Sequence, residues 1–411
     1  MRGVSAPASR NPDRMSLKPL RLKKHEDRRL HTGHTWIFSN EVDTKATPLD
    51  AFEPGEPCVI EEASGKVIGT GYVNPHTLIS ARLVSRDPAM TLNQSLIVHR
   101  LNVALSLRAR LFDRPYYRLV FGDSDGLPGL VVDRFGDVLV VQITTAGMER
   151  LKNEIVAALE KVLKPRAILL RNDASARAME QLPSYVEAVR GEVPDWLEVE
   201  ENGLVFEAAP VQGQKTGWFY DHRMNRARLG AYVKGRRVLD VFSYLGAWGV
   251  QAARAGAESV LCVDSSVFAL EGVVRNAARN GVQAIVQTRQ ADAFDILRDL
   301  RAAREKFDVV VLDPPALIKR RKDIKEGTLA YQRLNQMAMQ VLGKDGILVS
   351  CSCSYHLPRD TLQELLLKNS RHLDRFMQIV EEGHQGPDHP VHPAIPETAY
   401  LKAFFVRVLP N

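Results

Sequence analysis

The stretch Asp240-Val-Phe-Ser-Tyr-Leu-Gly-Ala-Trp-Gly249 decides how the second half of this chain is read. It continues the apolar run 237–241 into a turn with two glycines, and a helical pattern follows. A strand, a glycine turn and a helix in that order let a backbone approach a ligand closely. Further short apolar runs at 259–263, 282–287, 307–312, 346–350 and 402–408 alternate with helical stretches. That alternation predicts an α/β fold, a doubly wound, mostly parallel sheet. In such sheets the ligand sits outside the C-terminal ends of the strands.

Four acids fall at those ends: Asp240, Asp264, Asp292 and Asp313. Asp264 stands about twenty residues after a glycine turn, the spacing of an acid that accepts from ribose hydroxyls. Asp292, in Gln290-Ala-Asp-Ala-Phe294, suits an adenine amine with an apolar edge beside it. Any one of them is more often a helix N-cap. Four at successive strand ends point to a nucleoside-bearing cofactor. A nicotinamide dinucleotide fits poorly, because the loop is not GxGxxG and holds no basic residue for a pyrophosphate.

The fifth run ends in Ser350-Cys-Ser-Cys-Ser354. Two thiols at the crevice side of a strand suit covalent catalysis. Carbon 5 of a pyrimidine is a poor nucleophile until a thiolate adds at carbon 6. Cys353 lies further out along the strand and is the expected nucleophile, with Cys351 in reserve. Asp313 is placed to hydrogen-bond the base edge. The commoner state of a free cysteine is a small buried side chain, and Cys58 and Cys262 are read that way. No cysteine has CxxC spacing, and His384, His389 and His392 lack ligand companions, so no metal is expected.

Upstream the chain is basic. Met1 to Trp36 holds nine Lys/Arg against three acids, an excess equal to the whole chain's net charge of +6. Residues 1–16 read as a disordered basic tail. Residues 17–88 read as short strands of a small β-barrel, 89–195 as an α+β middle domain, and 196–411 as the α/β domain that carries the four strand-end acids. Within the middle domain a helix is expected over 91–112, a hairpin over 126–143, a helix over 148–163 and a strand over 167–170. Residues 191–201 read as a linker. Arg21, Lys23, Lys24, Arg28 and Arg29 are candidate phosphate contacts, and Trp36 or Phe38 a stacking surface for a base, with core packing favoured for the aromatics. Lys319, Arg320 and Arg321 follow the Asp313 loop and suit an RNA backbone. Lys215, Arg223 and Arg226 surround Asp221 and suit a carboxylate or phosphate. No run approaches the roughly eighteen apolar residues of a membrane span, and no signal core opens the chain, so a cytoplasmic protein is expected.

These motifs resemble those of the class I S-adenosylmethionine (SAM) methyltransferases, with Asp240–Gly249, Asp264, Asp292 and Asp313-Pro-Pro315 as the first four. More specifically, the chain from Leu17 onward is similar to the rRNA large-subunit methyltransferase I family. The similarity rests on Gly213-Gln-Lys-Thr-Gly-Trp-Phe-Tyr-Asp-His-Arg-Met-Asn-Arg226, Asp240-Val-Phe-Ser-Tyr244, Ser350–Ser354 and Gly122-Asp-Ser-Asp-Gly-Leu-Pro-Gly-Leu-Val-Val-Asp-Arg134. Residues 17–86 resemble a PUA domain, through Leu30–Phe38, Pro54–Ile60 and Gly69–Pro75. The resemblance implies SAM as cofactor, held by Lys215, Thr216, Asp221, Arg223, Asp240, Phe242, Ser243, Gly246, Gly249, Asp264, Ser265, Asp292, Ala293, Asp313 and Pro314. Gly246 and Gly249 would face its methionine portion.

The implied reaction is methylation of carbon 5 of a cytosine in large-subunit (23S) rRNA, free or in a pre-ribosomal particle. A uracil or another RNA base is the alternative acceptor, and a non-catalytic RNA-binding protein the alternative of another class. Two departures stand out: His222 where the family pattern reads Gln, and Leu245-Gly-Ala-Trp-Gly249 where it reads Thr-Gly-Gly-Phe-Gly. The Asp313 loop has no cysteine, which leaves the base for the carbon 5 proton unassigned. A homodimer is left open.

Overall fold

The computed structural model describes residues 17–411, so the tail at 1–16 lies outside the described residues. The chain builds three sheets of five, five and seven strands and one two-stranded ribbon. The first sheet joins Lys18–Arg21, Trp36–Phe38, Glu56–Glu61, Val67–Val73 and Ile79–Ser85. It curls round one core of Leu20, Leu30, Ile37, Cys58, Ile60 and Leu83. Gly69 and Gly71 permit this: a Cβ at either would sit within 2.1 Å of a carbonyl oxygen on the neighbouring strand.

The second sheet keeps Tyr116–Phe121, Leu130–Phe135, Val138–Ile143, Ala167–Asn172 and Tyr185–Arg190 in sequence order. Helix Gln94–Leu111 stands where 91–112 predicted one. The helix expected over 148–163 is broken at Leu151 into Ala146–Arg150 and Lys152–Leu163. The expected linker is also corrected. Within 191–201, Leu197–Glu201 pairs with Leu204–Ala208, and Leu197, Val199, Phe206 and Ala208 enter the core of the next domain. Its acidic composition misleads because Glu198 and Glu200 point out to Arg279 and Arg114, while Glu201 is buried.

The third sheet positions the site. Its strands are β1 (Arg237–Val241), β2 (Ser259–Asp264), β3 (Val286–Gln290), β4 (Phe307–Leu312), β5 (Leu342–Ser352), β6 (Arg375–Gly383) and β7 (Lys402–Pro410). They lie in the order β3-β2-β1-β4-β5-β7-β6. The first five are parallel, and β7 runs antiparallel between β5 and β6. The order reverses at β1/β4, so the crevice opens there. Two expectations move. β3 starts at Val286 rather than 282, because the Val282 N–H returns to the Ala277 carbonyl and ends the preceding helix. β6, an edge strand whose residues alternate between half-buried and exposed, was not foreseen.

Candidate active site

The glycine turn is strained where it meets the crevice. Phe242 and Tyr244 adopt φ of 66° and 48°, and Gly246 has φ of 82°. Non-glycine residues rarely occupy that region unless the surroundings hold them there. Here Ser243 N–H donates to the Val263 carbonyl at 3.0 Å and Tyr244 N–H to Asp264 Oδ2 at 2.9 Å. The Tyr244 hydroxyl donates to Gly217 O at 3.1 Å and accepts from Gln214 N–H at 3.0 Å, fastening the 213–217 loop over the turn.

Gly249 does not face a ligand, contrary to the reading above. Its N–H donates to Asp240 Oδ2 at 2.9 Å, and a Cβ there would lie 2.4 Å from Cys262 Sγ. Its smallness lets helix Ala247–Arg254 rest on β2. Gly246 supplies the left-handed turn before that helix.

Three buried polar atoms in this region have no partner: Asp221 Oδ1, Asp240 Oδ1 and Ser243 Oγ. Orphaned buried groups are uncommon and call for a ligand or water. Asp264 has one position on each oxygen occupied, by Tyr244 N–H and Ser266 N–H, which leaves a second on each for hydroxyls. Asp292 is exposed and caps helix Ala293–Ala302 through Oδ1, so its other oxygen is free. Ser265 is exposed at the end of β2, and Ala293 is buried behind Asp292. Burial, with Asp313 and Asp264 nearby, pushes the Asp240 carboxyl up to about 7. A crevice lined by these acids fits a cationic cofactor such as SAM, whose positive charge would keep Asp240 ionised.

Deeper in the crevice, Asp313 follows β4 and is gripped by two donors. His222 Nε2 lies 3.1 Å from its Oδ1, and Trp248 Nε1–H donates to Oδ2 at 3.0 Å. Asn225 assigns the histidine tautomer. Its amide nitrogen donates to His384 O at 3.1 Å and its oxygen accepts from Arg228 at 3.2 Å, so an N–H faces His222 Nδ1 at 3.2 Å. Nδ1 is therefore the acceptor and Nε2–H the donor to Asp313. Both departures from the family pattern, His222 and Trp248, thus act on the same carboxylate. Burial favours the neutral acid, yet the His222 and Trp248 contacts hold the Asp313 carboxyl below the ordinary carboxylate range. Asp221 behaves likewise: burial opposes its charge, but His222, His389, Lys215 and the Tyr400 hydroxyl, 2.6 Å away, hold its carboxyl low.

The two thiols separate clearly. Cys351 is buried, with Sγ within 4.8 Å of the His222 nitrogen and an Asp313 oxygen, and burial raises its thiol well above the ordinary value. Cys353 is half-buried just beyond β5, its thiol 3.9 Å from Pro314 O. Burial pushes that thiol up to about 11, with Lys215 pulling the other way. The loop that follows, from Tyr355 on, borders a cavity of about 650 Å³ lined also by Arg321, His356, His384 and Lys402.

Several candidate contacts have other duties. Arg226 is buried against Glu201, with Nε 2.6 Å from Oε1 and Nη2 2.8 Å from Oε2. Arg223 is buried too, 3.8 Å from Glu201 and stacked on Phe112 and Tyr220. The Arg226 guanidinium is engaged by Glu201, whereas Arg223 Nε has no hydrogen-bond partner among the described residues. The Thr216 hydroxyl donates to Asp133 Oδ2 at 2.5 Å. Lys215 is exposed over the Phe219 ring, and Phe242 and Pro314 pack beside the turn.

In the first sheet, half-buried Trp36 donates its indole N–H to Asp123 at 2.8 Å, tying that sheet to the second. Arg21 pairs with Glu61 and Arg29 with Glu41, while Lys23 reaches Asn40 O. Among the described residues Lys24, Arg28, Lys319 and Arg321 are exposed and make no ion pair, whereas Arg320 lies 3.8 Å from Asp323. Sequence reasoning missed Glu201, Tyr400 and Lys402, which act at the site from elements distant in the chain.

Comparison with known proteins finds two family models along the chain. A PUA-like domain family model matches residues 20–86, and an S-adenosylmethionine-dependent methyltransferase model matches residues 169–407. The ribosomal RNA large subunit methyltransferase I of Shewanella denitrificans is 34% identical over 396 residues, 95% of this chain and 99% of that protein. Its counterpart in Aliivibrio fischeri is 35% identical, covering 94% of this chain and 98% of that protein. A protein of Streptococcus mutans described as a SAM-dependent methyltransferase superposes with a TM-score of 0.80 over 95% of this chain and 100% of that chain. At 20% identity that likeness concerns the fold alone.

Proposed function

Because the chain belongs to the ribosomal RNA large subunit methyltransferase I family, with SAM as its methyl donor, we propose that it methylates carbon 5 of a cytosine in large-subunit rRNA through a covalent bond to Cys353. The observation that carries this reading is the position of Cys353. Of four free thiols it alone is not buried, and it stands beyond β5 against the carbonyl of Pro314, directly after Asp313. SAM, when bound, supplies an electrophilic methyl group. Asp264 and Asp292 would hold its nucleoside, and Asp221, Asp240 and Ser243 its methionine end, where their unpartnered atoms lie.

The chain's own residues do the rest. Lys215 favours the Cys353 thiolate, which adds at carbon 6 and turns carbon 5 into a nucleophile. Asp313, kept ionised and fixed by His222 and Trp248, presents an acceptor toward the base edge. The exposed cations Lys24, Arg28, Lys319 and Arg321 attract the RNA backbone. A ribosomal RNA acceptor supports a cytoplasmic location. RNA carrying 5-fluorocytosine tests the reading, because fluorine at carbon 5 cannot leave as a proton and the adduct persists. Wild type and Cys351→Ser should form a complex stable to denaturant, and Cys353→Ser should not. An adduct lost only in Cys351→Ser overturns the choice of thiol.

A further inference from the structure

Closing the reaction requires a group that takes the proton from carbon 5, and the loop after β4 holds no cysteine for it. His222 is unsuited, since Asn225 occupies its Nδ1 and its Nε2–H already donates to Asp313. Cys351 is buried. We propose that Lys402, on β7, is the base that removes the carbon 5 proton. This assignment rests on the carbon 5 reading above.

The placement comes from strand pairing. β7 lies antiparallel beside β5 with Lys402 opposite Ser352, one residue before Cys353. Its Nζ donates to Ser354 O at 2.6 Å, one residue after Cys353, so the amine is folded round the nucleophile's backbone. It also lines a 650 Å³ cavity open to solvent, and Cys353 is near enough to act on its charge. The titratable and charged groups sharing the cavity are Arg321, Tyr355, His356, Arg359 and His384, and none is a carboxylate. Among the described residues Lys402 makes no salt bridge, although it is half-buried. An ammonium held there without a counter-ion is disfavoured. Burial lowers Lys402 to about 8, opposed only by Cys353. A sizeable neutral fraction thus exists near neutral pH, and a neutral amine has the lone pair a base needs.

The step balances. After methyl transfer carbon 5 carries both hydrogen and methyl, and carbon 6 is bonded to Cys353 sulfur. The Lys402 lone pair takes the hydrogen as a proton, and the C–H electron pair forms the 5,6 double bond. The sulfur–carbon 6 bond breaks and returns the thiolate. Lys402 then passes its proton to water through the open cavity.

The test uses the full chain, methyl-labelled SAM and unmodified substrate RNA, with Lys402→Met and Lys402→Arg, neither of which can accept the proton. The expected result is turnover reduced by about 10²-fold or more, with a denaturant-stable protein–RNA complex that carries the label. Wild type should leave no such complex, and its single-turnover rate should rise with pH through about 8. Circular dichroism and SAM affinity equal to wild type confirm that the variants fold. Turnover within a few-fold of wild type overturns the assignment. So does a variant that fails to form the 5-fluorocytosine adduct, because Lys402 would then act before the methyl transfer. Absence of that adduct in wild type overturns the carbon 5 reading itself, and the two failures are distinguishable.

Discussion

The free enzyme should hold Cys353 as a poor nucleophile, and the magnitude follows from its surroundings. With the thiol at about 11, roughly one molecule in three thousand carries a thiolate at pH 7.5. The rise of about two units above the ordinary 9.0 corresponds to about 2.7 kcal/mol against the charged form. The perturbation is Lys215→Met, which removes the nearby cation and leaves Phe219 and the loop hydrogen bonds in place. Iodoacetamide labelling followed by intact mass should show a single reactive thiol in native protein, since Cys58, Cys262 and Cys351 are buried. Its rate should climb about tenfold per pH unit without levelling below pH 10. Lys215→Met should be slower at every pH, and a large part of the missing activation should appear on adding RNA and a cofactor analogue. A labelling rate that levels off near pH 9, the ordinary value of the thiol, refutes the reasoning. So does a Cys351 that labels as fast as Cys353.

Glu201→Gln leaves Arg226 buried without its counter-charge, and truncating one member of such a pair costs about 3–5 kcal/mol; urea unfolding should show the loss, and Arg226→Met in the same chain should recover part of it. Burial favours protonated Glu201, but Arg226 holds it below its ordinary 4.5. The pair's stabilisation should therefore be whole above pH 4.5 and lost only on further acidification. Gly249→Ala places a Cβ 2.4 Å from Cys262 Sγ, so thermal denaturation should report a loss of about 1–3 kcal/mol that Cys262→Ala relieves. Trp36→Ala should lower stability through the lost bond to Asp123 and the lost ring, and leave RNA affinity unchanged. A stacking role would instead weaken binding by about 1–3 kcal/mol, and filter binding separates the two.

The order of strands and helices in the second half was legible because periodicity and strand-end acids are local. An alternating run needs only its own residues to be recognised, and Asp240, Asp264, Asp292 and Asp313 stand where the turns between elements put them. The miss at β3 has the same origin, since Val282 bonds back to the helix end rather than to a strand. What no window of sequence contains is the choice of partner across the chain. Arg226, Trp36 and Thr216 meet Glu201, Asp123 and Asp133, partners that no local stretch of sequence shows. Gly249 looked like a cofactor glycine until β2 placed Cys262 against it. Sequence alone determined that four acids stand at strand ends and that a thiol, at position 353, follows the fifth strand. Which groups surround them, Lys215, His222 and Tyr400 among them, depends on tertiary structure, because electrostatic effects follow distance and burial rather than chain order.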